Sequence, residues 1–199
     1  MSDITAALVK KLRDKTGAGM MDCKTALLEC DADIEASVDW LRTKGLAAAK
    51  KKSARITAEG LVGLAINDSH GAIIEINSET DFVARNELFQ KFVRSTAGLL
   101  LDSYEETNSF NTLTYPGTRH SVGDELTKLI STIGENISIR RYERISISNG
   151  VVSSYVHGAL SEGVGKIGVL VALESAANKN LLKNLGKQLA MHIAATKPR

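Results

Sequence analysis

The sequence predicts an α+β fold, an N-terminal group of three helices followed by an α+β core with antiparallel sheets and flanking helices. Three observations carry that expectation. Apolar residues recur at helical spacing through the first part of the chain, the period changes to two from residue 58, and helical stripes then return in blocks separated by further extended runs. The size agrees: 199 residues allow one large domain, or a medium domain with a small satellite. A chain of this length hides roughly 70% of its unfolded surface, so it can bury a real core.

The first helix is expected after Thr5, a capping residue, with Ile4, Leu8 and Leu12 on its apolar face. Gly17-Ala18-Gly19 breaks the pattern. Asp22 opens a second helix with Cys23, Ala26 and Leu27 inward, and Asp33 caps a third with Ile34, Val38 and Leu41 inward. Gly45 stands where a C-cap glycine would end it. From Arg42 to Arg55 the chain carries six Lys or Arg and no acid, with Ala47-Ala48-Ala49 favouring helix. This run reads as a solvated connecting helix or as a contact to an acidic partner; it has no interleaved aromatic residue on which bases could stack.

Leu61–Ile66 and Ala72–Asn77 read as paired strands around the polar loop Asn67-Asp68-Ser69-His70-Gly71. A long helix is expected from about Asn86 to Leu101, burying Leu88, Phe89, Phe92, Val93, Thr96 and Leu100. Residues 103–119 look like loop, and Val122, Leu126, Leu129, Ile130 and Ile133 mark another helix. Ile137–Tyr142 and Ile145–Ser148 read as extended, Asn149-Gly150 as a hairpin turn, and Val151–Val156 and Ile167–Leu173 as strands. Leu181, Leu185, Leu189 and Ile193 mark a last helix. The expected organisation is a three-helix domain at 1–45, a basic helical linker at 46–57, a first core subdomain at 58–142 and the start of a second at 143–199.

Composition bounds the function. Hydrophobic residues make up 43% and charged residues 24%, the balance of a folded soluble protein. With 25 Lys+Arg against 23 Asp+Glu, the net charge of +2 is too small for a dedicated nucleic-acid coat. No secretory signal and no run of about 18 apolar residues is visible, so no membrane association is expected. Cys23 and Cys30, seven apart on one helix, sit about 10 Å apart along its axis, too far for a disulfide. Reduced cysteines in a cytosolic protein follow.

No enzyme constellation emerges. His70, His120, His157 and His192 lack metal-ligand spacing, and neither phosphate-loop nor dinucleotide fingerprint is present. Gly163-Val164-Gly165-Lys166 resembles a phosphate loop faintly, but Ile167 replaces the required Ser or Thr, and a flexible loop between strands is the better reading. The expectation is a binding protein without catalytic residues, metal ligands or cofactor. Attention falls instead on Asn77–Asn86, which joins a strand to the long helix: Asp81 beside Phe82 puts a negative charge and a large wedge on one corner. The same pattern accommodates Asp81 as a helix-start residue and Phe82 as core.

Five ordered segments supply a resemblance. Thr16-Gly17-Ala18-Gly19-Met20-Met21-Asp22-Cys23-Lys24-Thr25-Ala26-Leu27 closely resembles the N-terminal signature of the bacterial translation elongation factor Ts family. Glu79-Thr80-Asp81-Phe82-Val83-Ala84-Arg85-Asn86 is similar to that family's second signature. Ile133-Gly134-Glu135-Asn136-Ile137 with Arg140-Arg141, then Tyr155-Val156-His157-Gly158, then Met191-His192-Ile193-Ala194-Ala195 match further segments in order.

The resemblance implies a guanine-nucleotide exchange factor for elongation factor Tu, bound in its GDP and nucleotide-free states, acting in the cytoplasm without covalent chemistry; an organellar origin stays compatible. It implies a ubiquitin-associated-like N-terminal domain in which Met20, Met21 and Lys24 dock on the partner. Thr80, Asp81, Phe82 and Val83 match the element that intrudes beside the partner's magnesium site, while His157, Ile133 and Gly134 match further docking positions. Long-form members continue beyond Met191–Ala195, so the resemblance also implies a missing C-terminal part, which a homodimer or 2:2 complex would need. Two other readings stay open: an interaction adaptor with a ubiquitin-associated-like domain, and an RNA-binding module resting on Arg42–Arg55.

Overall fold

The structure, a computed structural model, describes residues 4–103 and 110–197. The fold is α+β, arranged as two compact units: Met1–Ile56 with Asp124–Asn136, and Thr57–Gly123 with Ile137–Arg199.

The first unit carries α1 (Ala6–Thr16), α2 (Met20–Glu29) and α3 (Ile34–Lys52). Thr5 accepts a hydrogen bond from the Leu8 amide, and Asp33 from the Ala36 amide, so two of the three helices start at the side-chain caps read from the sequence. The second starts at Met20, two residues before Asp22. Leu12, Cys23, Ala26 and Leu27 form a fully buried centre, and Ile4, Leu8, Val9, Ile34, Val38, Trp40 and Leu41 pack around it. The inward stripes are those expected, because helices this short gain their stability by burying one face.

Helix α3 does not stop at Gly45. It runs on through the basic segment to Lys52, and Gly45 is buried in its interior, where a Cβ would lie 2.8 Å from Ser131 Oγ. The glycine thus marks a close approach to the segment Asp124–Ile133 of α5 (Val122–Ile133), a role that cap rules do not reveal. Lys50, Lys51 and Lys52 occupy the last turn, where cations suit the negative end of the helix dipole.

The second unit is built on β1 (Glu59–Ile66) and β2 (His70–Ser78), an antiparallel hairpin. Asn67 Oδ1 accepts from the Ser69 and His70 amides and closes the turn. The four-stranded sheet has the order β3-β2-β1-β5, with β3 at Ile137–Ser146 and β5 at Val164–Gly165. Gly163–Lys166 is therefore no flexible loop: Val62 pairs with Gly165, and Lys166 Nζ reaches Glu59 at 3.1 Å. Strand β3 is one continuous strand, with a register shift opposite Glu75 and Ile76 that leaves Arg140 as the extra residue.

Helix α4 (Glu87–Asp102) covers the hairpin, with Val93 and Ala97 closing over Gly63. Phe89, Phe92, Val93, Thr96 and Leu100 are buried as expected, whereas Leu88, in the first turn, is half exposed. Part of the expected loop at 103–119 lies outside the described residues. The rest contains a 3₁₀ turn at Phe110–Thr112 and two buried rings: Phe110 packs on Tyr142 and Tyr115 stacks on Phe92.

One expectation fails in the last part of the chain, and one helix packs on an unexpected face. Asn149-Gly150 makes no hairpin, because β3 pairs with β2 while β4 (Gly150–His157) pairs with β6 (Ile167–Glu174) in a separate sheet. The corner is tied instead to the β1–β2 turn, through Ile147 N to Ser69 O and Val152 N to Asp68 O. Helix α6 (Lys179–Thr196) packs on β4 and β6 through Leu182, Gly186, Ala190 and Ala194; Leu181 is 67% exposed, and Leu185 and Leu189 also face solvent. The stripe read from the large residues is one position off. Small residues let the helix approach the sheet closely, so they, rather than the leucines, select the face.

Two predictions follow from this packing. A Cβ at Gly186 would lie 2.4 Å from Ser153 Oγ. Gly186→Ala should therefore cost about 1–3 kcal/mol, and Leu181→Gln less than about 0.5 kcal/mol, as read by urea unfolding; equal effects would mean that the leucine stripe is the packed face. Burial pushes the Cys23 thiol up, with the Thr16 hydroxyl opposing it. Near neutral pH an aromatic disulfide reagent should modify partly exposed Cys30 in the folded protein, and Cys23 only after unfolding.

Candidate partner-binding surface

The link from β2 to α4 is short and tightly determined. After Ser78 the chain bends through Glu79 and Thr80, turns at Asp81-Phe82, and makes a single 3₁₀ turn at Val83–Arg85 before Asn86 caps α4. Asn86 Oδ1 accepts from the Leu88 and Phe89 amides, 2.9 and 3.3 Å away. Within the turn, the amides of Ala84, Arg85 and Asn86 donate to the carbonyls of Asp81, Phe82 and Val83. Ser78 Oγ donates to Thr80 O at 3.0 Å, and Gln90 Nε2 to Ala84 O at 2.9 Å.

Burial divides the turn in two. Val83 and Ala84 point into the core, while Asp81 is exposed and Phe82 is 79% exposed. Phe82 is therefore not a core residue, and Asp81 does not cap α4, since Asn86 holds that position. A carboxylate and an aromatic ring project from a corner whose neighbours are fixed on both sides. That arrangement suits insertion into a partner's crevice, with the ring as anchor and the charge competing for cations or donors.

The remaining site residues fall in three places. Met20, Met21 and Lys24 are exposed on α2, Met21 at 72%, on the face opposite Cys23, Ala26 and Leu27. Leu28 extends the exposed apolar surface one turn beyond Lys24; sequence reasoning missed it, although the four-residue step from Lys24 past the buried Ala26-Leu27 pair was the available signal. Ile133 ends α5 and is partly buried, followed by exposed Gly134 in a left-handed conformation at φ +87. His157 ends β4 and is exposed, its Nδ1 3.3 Å from the hydroxyl of Tyr155, a residue that the expected docking set did not include.

Comparison with known proteins gives the family. The family model described as Elongation factor TS matches residues 79–199, more than half of the chain. The chain belongs to the elongation factor Ts family. It is 58% identical over 198 residues to elongation factor Ts of Methylobacterium sp. (strain 4-46). It is 57% identical over the same length to those of Rhodospirillum centenum (strain ATCC 51521 / SW) and Paramagnetospirillum magneticum (strain ATCC 700264 / AMB-1). The match covers all of this chain and 64% of each relative, so the chain spans a little under two thirds of their length. Among the described residues no helix is long and apolar enough to cross a membrane.

The turn makes a direct prediction about stability. Phe82→Ala removes a ring that contributes little burial and should change stability by less than about 0.5 kcal/mol, whereas Val83→Ala should cost about 1–2 kcal/mol. Thermal unfolding of the two variants checks this: a large loss at Phe82 would place the ring in the core.

Proposed function

We propose that this protein promotes GDP release from elongation factor Tu during translation elongation, acting as a nucleotide exchange factor without covalent chemistry. The observation that carries the reading is the Asp81-Phe82 turn, an exposed aromatic ring and carboxylate on a corner anchored by buried Val83 and Ala84. The family relationship supports it.

The physics of exchange asks for little else. GDP is held in a GTPase through its phosphates and a bridging magnesium ion, so displacing the ion's surroundings weakens several contacts together. Phe82 supplies bulk to pry and Asp81 a charge that competes for the groups around the cation; Thr80 and Val83 hold the two in place. Met20, Met21 and Lys24, with Ile133, Gly134 and His157, serve as docking contacts. Coupling is reciprocal: a factor that lowers nucleotide affinity is itself bound less tightly once nucleotide returns, by the same ratio. Incoming GTP therefore releases the factor, and the cycle closes without a chemical step.

Stopped-flow release of a fluorescent GDP from the GTPase tests the reading. The chain should accelerate release; a folded chain that leaves the rate unchanged sinks the proposal and favours the adaptor reading. Phe82→Ala should lower the maximal rate about tenfold or more, with half-saturation changed less than about threefold. Met21→Ala should do the reverse, raising half-saturation with the maximal rate retained.

A further inference from the structure

We propose that Ser78 and Gln90 are positioning residues for the Phe82 wedge, an inference that rests on the exchange reading above and names two side chains outside both the turn and the docking set. The geometry is a clamp. Ser78, the fully buried last residue of β2, donates from Oγ to the carbonyl of Thr80, two residues before Phe82. Gln90, half-buried in the first turns of α4, donates from Nε2 to the carbonyl of Ala84, two residues after Phe82. The two grips come from the two rigid elements that flank the link, and they bracket the ring symmetrically along the chain.

The backbone bonds of the 3₁₀ turn fix its local shape, but they run from residue to residue inside the turn. The Ser78 and Gln90 side chains, rooted in β2 and α4, tie that shape to the scaffold. Buried Val83 and Ala84 hold the turn down through non-directional contacts, which leave its tilt free to vary. Directed hydrogen bonds at Thr80 O and Ala84 O fix the tilt, and with it the direction in which the Phe82 ring leaves the surface. A ring already aimed loses less freedom when it enters a crevice, and the gain appears where the wedge acts, in the step that expels nucleotide. Docking through α2 and His157 does not pass through the clamp.

The chemistry at each position is specific. Thr80 O and Ala84 O are acceptors, so each position needs a donor. Gln90→Glu keeps size and places a carboxylate oxygen against a carbonyl; Ser78→Ala deletes the donor; Ser78→Cys keeps a weaker one. In the labelled-GDP assay, Ser78→Ala and Gln90→Glu should each lower the maximal exchange rate about fivefold to tenfold, with half-saturation within about twofold and Ser78→Cys recovering most of the loss. Hydrogen exchange at the Ala84, Arg85 and Asn86 amides should quicken in both variants while protection across β1, β2 and α4 persists. Because Ser78 is fully buried, Gln90→Glu carries the test if Ser78→Ala fails to fold. Parental acceleration retained by Gln90→Glu overturns this inference alone. No acceleration by the parental chain overturns the exchange reading, whereas unchanged exchange at the Ala84, Arg85 and Asn86 amides in Gln90→Glu overturns the clamp itself.

Discussion

The strand-to-helix link between Ser78 and Glu87 is the constraint on which the candidate site depends. Strand β2 is the inner strand between β1 and β3, and α4 lies over the β1–β2 hairpin, so neither end of the link can move. A chain this short between two fixed ends must turn sharply, and the turn must satisfy its own amides. The 3₁₀ turn at Val83–Arg85 does so within the link, while the Asn86 side chain satisfies the first amides of α4. With Val83 and Ala84 drawn into the core, the preceding two residues are left facing water. Exposure of Asp81 and Phe82 is thus a geometric consequence of how β2 meets α4.

Much of this was legible in the sequence, for a definite reason. Where one face alone is buried by large residues, the period reports the face, as for Leu12, Cys23 and Leu27 or for Phe89, Val93 and Leu100. Hydrophobic period misleads where small residues decide. Gly45 looked like a helix end and is a contact between helices; Gly186, Ala190 and Ala194 carry the packed face of α6 while the leucines beside them do not. Periodicity weighs residues by hydrophobicity, whereas close packing against a sheet can be limited by how near the backbone may come. Long-range pairing escaped in the same way. Asn149-Gly150 has hairpin chemistry, but pairing with β2 captures the strand before it and pairing with β6 the strand after it.

The candidate site was partly legible. Asp81 and Phe82 stood out by type and by their place after a strand, yet the pattern could not separate an exposed ring from a core ring. That distinction rests on the phase of the turn, which Asn86 sets by taking the cap of α4 and so fixing where the helix starts. Ser78 and Gln90 were not legible at all, since a serine at a strand end and a glutamine inside a helix are ordinary. Their meaning comes only from the carbonyls they reach.

A single exposed aromatic residue says little, because most folded surfaces carry some apolar side chains. The weight lies in the contrast with its neighbours. Fully burying a phenylalanine is worth roughly 1.5–3 kcal/mol, and the core lies directly beneath Val83, the next residue along the chain. A turn shifted by one residue would bury Phe82 in place of Val83 and gain the difference between the two burials, less than that full value. Such a shift is opposed by directed bonds in the link: the Asn86 cap would move, the Ala84–Asp81 and Arg85–Phe82 pairs would break, and Gln90 would lose the Ala84 carbonyl. At about 0.5–1.5 kcal/mol each, several such bonds together outweigh the burial of one ring. The exposed wedge and the hydrogen-bonded frame are therefore one feature, in which polar geometry overrides the hydrophobic preference of the residue it presents.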